Sequence, residues 1–318
     1  MDASSQHHQF YPPISPFSHG LLPVGGRHEL YYEQSGNPSG VPVVFLHGGP
    51  GGGTNGSHRR FFDPAHYHII LFDQRGSGRS RPYADITENT TGHLIEDMET
   101  LRDHLDLERW IVFGGSWGST LAIAYGVTHP KRCLAFVLRG VFLARAQELD
   151  WFLSGMRTIY PDAFVDFEQA LPEDERPGLL DNYYKRLIST NENIHIPVAN
   201  AWNRYESACS QLIPPESSGG GGSIGLALAR IEAHYFVNQM FLADQPLLER
   251  MDQIAHLPAR IIQGRYDIVC PIATAFELSQ KWDNAHLTII PDAGHSAMEP
   301  GIKSALIEAM EDLKSLGN

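Results

Sequence analysis

The chain has 318 residues, 42% of them hydrophobic, and a formal net charge of −13. That supplies enough apolar material for a substantial core and excludes wholesale disorder. The acidic balance argues against a nucleic-acid binder, which would carry a basic stripe, and no apolar run approaches the ~20 residues of a membrane span.

Residues 1–15 are polar and proline-containing. They read as a flexible arm, without the apolar centre of a secretory signal. "HELYYEQSG" (28–36) alternates as a strand should, and "NPSG" turns it. "VPVVFLHG" (41–48) and "HIILFD" (68–73) are continuous apolar runs, the pattern of strands buried on both faces. "HLIEDMETLRDHL" (93–105) places Leu94, Met98, Leu101 and Leu105 at helical spacing. "WIVF" (110–113) is a third buried strand; the small-residue run after it is a helix stopped by Pro130. "CLAFVLRG" (133–140) is a fourth strand. Strands alternating with helices imply a mostly parallel sheet covered on both faces.

The character changes after Gly140. Residues 141–255 are mostly helical in pattern and rich in aromatics, with a Ser/Gly-rich segment at 214–225. Strand-like runs return at 259–264 and 286–292, and an amphipathic stretch closes the chain. The layout is an α/β core in two parts, residues 16–140 and 256–318, around a helical cap insertion of residues 141–255. Cys133, Cys209 and Cys270 are odd in number and widely spaced. They suit a reducing, cytoplasmic setting and offer no zinc spacing. No metal and no cofactor is expected.

Gly114-Gly115-Ser116-Trp117-Gly118 fits G-x-S-x-G, and it lies where a strand hands over to a helix. That context exposes a serine hydroxyl on a strained turn, with glycines letting the two backbones pass closely. Gly221 to Gly225 fits the same pattern around Ser223, but follows a polar run instead of a strand, and reads as linker. A serine nucleophile needs a base and a group to orient that base. Asp267 and His295 each stand just past a strand-like run, in the order serine, acid, histidine. Asp292 is the competing acid, only three residues before His295 in the same loop. The Trp117 amide at the helix start and the Gly49 amide in "FLHGGPGGG" are the candidate oxyanion donors. Gly51 to Gly56 also fits a dinucleotide G-x-G-x-x-G with Asp73 downstream, but Pro64 interrupts the helix that reading requires.

"HGGPGGG", "FDQRGSGRS", "GGSWGST", "QGRYDIVCP" and "AGHSAMEP", together with "LRGVFLARAQELDWF", "AWNRYE" and "ARIEAHYF" in the insertion, closely resemble the proline iminopeptidases of the α/β-hydrolase superfamily. The resemblance implies an α/β-hydrolase fold and an exopeptidase that takes short peptides with a free N-terminal proline. It implies Ser116 as nucleophile, Asp267 as acid and His295 as base. It further implies Glu206 and Glu232 as partners of the substrate's amino group, and Phe142 and Phe152 as walls around the pyrrolidine ring. Neither nucleic acid nor a membrane is an expected partner, and oligomeric state is left open. Three features depart from the family's pattern: the Gly/Ser run at 217–223, Thr54 where a cysteine is common, and Phe152 in place of a tyrosine. A small-ester hydrolase or lactonase would keep the triad without the two glutamates; a non-catalytic ligand-binding protein is the other alternative.

Overall fold

The computed structural model describes residues 8–213 and 224–317. Its eight strands are β1 (Ser18–Pro23), β2 (Glu29–Gly36), β3 (Val41–Leu46), β4 (Tyr67–Phe72), β5 (Trp110–Ser116), β6 (Cys133–Val141), β7 (Ala259–Gly264) and β8 (Ala285–Ile290). They form one sheet in the order β1-β2-β4-β3-β5-β6-β7-β8. β1 and β2 run antiparallel at one edge, and β3 to β8 pair parallel.

The central strands divide their side chains between two apolar layers. Val44, Leu46, Ile70, Phe72 and Val112 face one cluster; Val43, Phe45, Ile69, Leu71 and Ile111 face the other. This period of two with both faces buried is why these segments read as unbroken apolar runs. The first face is covered by α1 (Thr91–His104) and α2 (Trp117–Thr128). Every α2 residue from Trp117 to Val127 is buried, so it lacks the polar stripe of a surface helix.

The insertion supplies α3 (Ala146–Asp150), α4 (Pro161–Gln169), α5 (Leu179–Leu187), α6 (Glu192–Cys209) and α7 (Ile224–Val237). Its aromatic centre stacks Phe167 on Tyr183 (centroids 4.4 Å apart) and on Tyr205 (4.6 Å). That centre is continuous with the cluster on the sheet face. Trp117 meets the α7 side chain Tyr235 edge-on at 4.9 Å. α8 (Ile272–Gln280) follows β7, and α9 (Pro300–Asp312) covers the second face with Phe61 and Phe62.

Three points differ from the sequence reading. Residues 8–15 do not form a flexible arm: the Phe10 ring packs edge-on to Phe61 at 5.0 Å, and the Tyr11 amide donates to the Arg60 carbonyl at 3.0 Å. Residues 1–7 and the Gly/Ser run at 217–223 lie outside the described residues. β1 and α8 were not legible. β1 is an edge strand with only Leu22 buried, and a glycine and a proline weaken its pattern. α8 is short, just nine residues.

Candidate active site

Ser116 ends β5 and caps α2 with φ 57 and ψ −128. A β-carbon is strained there, and such strain persists only where the surroundings enforce it. The glycines explain how the turn closes. A β-carbon on Gly114 would strike the Gly118 carbonyl, and one on Gly118 would strike the Leu46 carbonyl of β3. Gly48 lies alongside: a β-carbon there would stand 3.4 Å from that of Ser116.

Asp267 follows β7 and His295 follows β8, and the fold brings them together. His295 Nδ1 lies 2.8 Å from Asp267 Oδ2. The same carboxylate accepts the Cys270 amide at 2.8 Å and Gln263 Nε2 at 3.1 Å. Asp292, the competing acid, is exposed. His295 Nε2 sits 3.0 Å from Arg139 Nη1, which also donates to the His295 carbonyl at 2.9 Å. A guanidinium cannot accept, so Nε2 is the acceptor and Nδ1 carries the proton toward Asp267. That is the tautomer a triad base requires.

Among the described residues no hydrogen bond joins Ser116 to His295. Ser116 and Cys270 instead line the same pocket. A charged donor outcompetes a neutral hydroxyl for the imidazole nitrogen. Arg139 was not singled out by sequence, because a lone arginine at a strand end carries no local signal. Burial, first, and the Asp267 carboxylate push the Cys270 thiol well above its ordinary pKa, so it is not a competing nucleophile.

The Trp117 amide belongs to the first turn of α2, where backbone donors lack intrahelical partners. Gly49 has φ 111 and lines the same pocket as Ser116. Gln74, also missed by sequence, ties the two donor segments together. Its Oε1 accepts Trp117 Nε1 at 2.9 Å, its Nε2 donates to the His47 carbonyl at 2.9 Å, and its amide donates to His47 Nε2 at 3.0 Å. Asp73 is fully engaged by Thr54 (Oγ1 at 2.6 Å) and Arg79 (Nε at 2.8 Å), leaving no carboxylate for a ribose.

Next to Ser116 is a narrow slot walled by Phe142, Phe152, Phe236, Val269 and Cys270, with Glu232 inside it. Its free space is about 20 Å³, room for roughly one water molecule. Phe142 is pinned to α2: its carbonyl accepts Thr120 Oγ1 at 2.7 Å and its amide donates to Ser119 Oγ at 3.2 Å. Phe152 meets Phe236 edge-on at 5.2 Å. Phe236 was missed, although it stands four residues after Glu232 on α7 and therefore on the same helix face.

Glu232 is 3% exposed, and its Oε2 accepts Trp202 Nε1 at 2.5 Å. Burial, reinforced by the nearby Glu206, raises its pKa well above the ordinary value. Glu206 comes from α6 and borders a second cavity, not the slot. Its Oε2 is buried without a partner among the described residues, and burial lifts the carboxyl from 4.5 to about 7. Among the described residues neither of these interacting carboxyls is paired with a cation, and two carboxylates can accept the hydrogen bonds of an ammonium group.

The raised pKa of Glu206 has a consequence for stability. Between pH 4.5 and about 7 the folded chain holds a proton that the unfolded chain has lost. Stability therefore falls as pH rises through that window and stays lowered above it. Glu206→Gln is expected to raise the thermal midpoint at pH 8 by a few degrees and to leave it unmoved at pH 4. Thermal unfolding at both values checks this, and a variant no more stable at pH 8 would refute the linkage.

The family model described as alpha/beta hydrolase fold matches residues 41–301. The chain is similar to the probable proline iminopeptidase of Leptolyngbya boryana, with 50% identity over 308 residues covering 95% of this chain and 96% of that one. It is similar to the proline iminopeptidase of Arabidopsis thaliana, with 51% identity over 312 residues covering 96% and 82% respectively. Among solved structures it shares its fold with the proline iminopeptidase of Mycobacterium smegmatis, at a TM-score of 0.60 and 19% identity, covering 95% of this chain and all of that one (100%). With half its residues matched over nearly its whole length, the chain belongs to the proline iminopeptidase family of α/β-hydrolase-fold proteins.

Proposed function

We propose that the protein is a serine exopeptidase that releases proline from the N-terminus of short peptides through an acyl-enzyme intermediate. One observation carries the reading: a buried carboxyl with no cationic partner among the described residues, Glu232, stands in an aromatic slot that opens on Ser116. A compact apolar ring bearing a positive charge satisfies both features of that slot.

In this reaction Ser116 Oγ attacks the prolyl carbonyl carbon and passes its proton to His295 Nε2. Asp267 holds the Nδ1 proton and stabilises the imidazolium. The amides of Gly49 and Trp117 receive the oxyanion, at positions fixed through Gln74. His295 then protonates the departing amine as the C–N bond breaks. Water, activated by the same histidine, attacks the acyl-enzyme and frees proline. For the first step, Nε2 must exchange the Arg139 guanidinium for the Ser116 hydroxyl. The ring enters only when an aromatic wall swings outward, since the closed slot is about 20 Å³. Residues 16–140 and 256–318 form the catalytic body, and residues 141–255 form the cap that supplies the aromatic walls of the slot.

The reaction as written draws on no cofactor. All three cysteines are free, which fits a cytoplasmic setting. Among the described residues no helix is long and apolar enough to cross a membrane. The test compares prolyl-, alanyl- and N-acetyl-prolyl-naphthylamide with a short acyl ester. The prolyl substrate should be fastest and the capped one slowest; equal rates on capped and free prolyl substrates would overturn the reading in favour of an esterase.

A further inference from the structure

Beside the slot lies a second cavity of about 250 Å³. The two share Gly49 of the oxyanion loop. Arg139 forms part of its wall, and Arg139 Nη1 is 3.0 Å from His295 Nε2. That nitrogen delivers the proton to the leaving amine, so the residue released from the substrate departs on the side Nε2 faces. We take the position of the cavity, adjoining the ring slot at Gly49, to be that of the leaving peptide.

Its walls are apolar where a side chain would rest. The His58 ring stacks on Phe45 with centroids 4.5 Å apart and planes 17° from parallel. Phe61, Leu228 and Ala297 complete that part of the lining. Burial, with the nearby His47, holds the His58 pKa down at about 4, so this ring is a neutral aromatic surface at neutral pH. The volume exceeds the ~150 Å³ of an apolar cavity that accepts benzene, so a phenyl or isobutyl group fits. The cation in the wall, Arg139, disfavours a second positive charge, and Glu206, also in the wall, is the carboxyl that the family resemblance gives to the substrate's amine.

We propose that this cavity is the subsite for the residue following the N-terminal proline, and that it selects a large apolar side chain there. The inference rests on the exopeptidase reading given above. The test uses the full chain with prolyl-phenylalaninamide and prolyl-glycinamide. The ratio of kcat/KM values should favour phenylalanine by roughly tenfold or more, the scale set by burying a large apolar group in a preformed pocket. Ala297→Phe puts a ring into the cavity and should bring that ratio close to one. Ala297→Met should move it in the same direction by less, which keeps the test intact if the phenylalanine variant fails to fold. A wild-type ratio within about twofold, or a filling variant that slows both amides alike, overturns the subsite while leaving the exopeptidase reading standing. Turnover of the ester with no cleavage of either amide overturns the exopeptidase reading, and the subsite with it.

Discussion

Ser116→Ala is expected to abolish acyl-enzyme formation and lower kcat by roughly 10⁴–10⁶-fold, the scale seen when a serine nucleophile is removed. The turn should survive the change. Residue 116 has φ 57 in either case, and alanine fits wherever serine fits. Ser116 makes no side-chain capping bond to α2, so the helix start loses nothing. The loss therefore falls on chemistry, and a fluorophosphonate probe reads it directly: stoichiometric labelling of the wild type, none of the variant. Normal turnover by a folded Ser116→Ala protein would refute the assignment. Ser223→Ala is the sequence-matched control; Ser223 lies outside the described residues, and its loss should change little.

Glu232→Gln should separate two substrate classes. An ammonium group held by a shielded carboxylate gains about 1.5–3 kcal/mol per charge-assisted hydrogen bond. The amide keeps the shape and can still accept from Trp202 Nε1, so the slot stays formed. What disappears is the negative charge that the incoming cation stabilises. Free-amine prolyl substrates should lose at least about a hundredfold in kcat/KM, equivalent to ~2.7 kcal/mol. A short neutral ester should be spared, because neither Asp267–His295 nor the Gln74 strut touches Glu232. N-acetyl-prolyl substrates should show a loss of the same size in the wild type, since capping removes the charge from the other partner. Equal losses on ester and amine would mean that Glu232 supports the fold instead.

What was legible in the sequence follows from the range of the interactions. The Ser116 turn declares itself because its cause is local: glycines are required within two residues of the serine. Asp267 and His295 were readable as positions after strands, since a parallel sheet brings every such loop to one edge. Glu232 stood out as an acid in an apolar helix, and it is buried. Gln74, Arg139 and Phe236 were not readable. Gln74 joins segments 27 and 43 residues away, Arg139 meets His295 across 156 residues, and the slot wall Phe236 looks like any core aromatic. The packing of residues 8–15 was hidden for the same reason, since Phe10 finds Phe61 only after folding. Phe142 and Phe152 were found by resemblance, because pattern alone would place both in a generic core.

The apolar cluster that runs unbroken from the sheet face into the insertion makes the roof a load-carrying part of the building and not a shutter hung on it. Trp117 illustrates the coupling: its amide neighbours the nucleophile, its indole is buttressed by Gln74, and its ring edge rests on Tyr235 of the roof. Grafting the roof of another hydrolase onto this body would thus be a core replacement, with its mismatches transmitted one side chain away from Ser116.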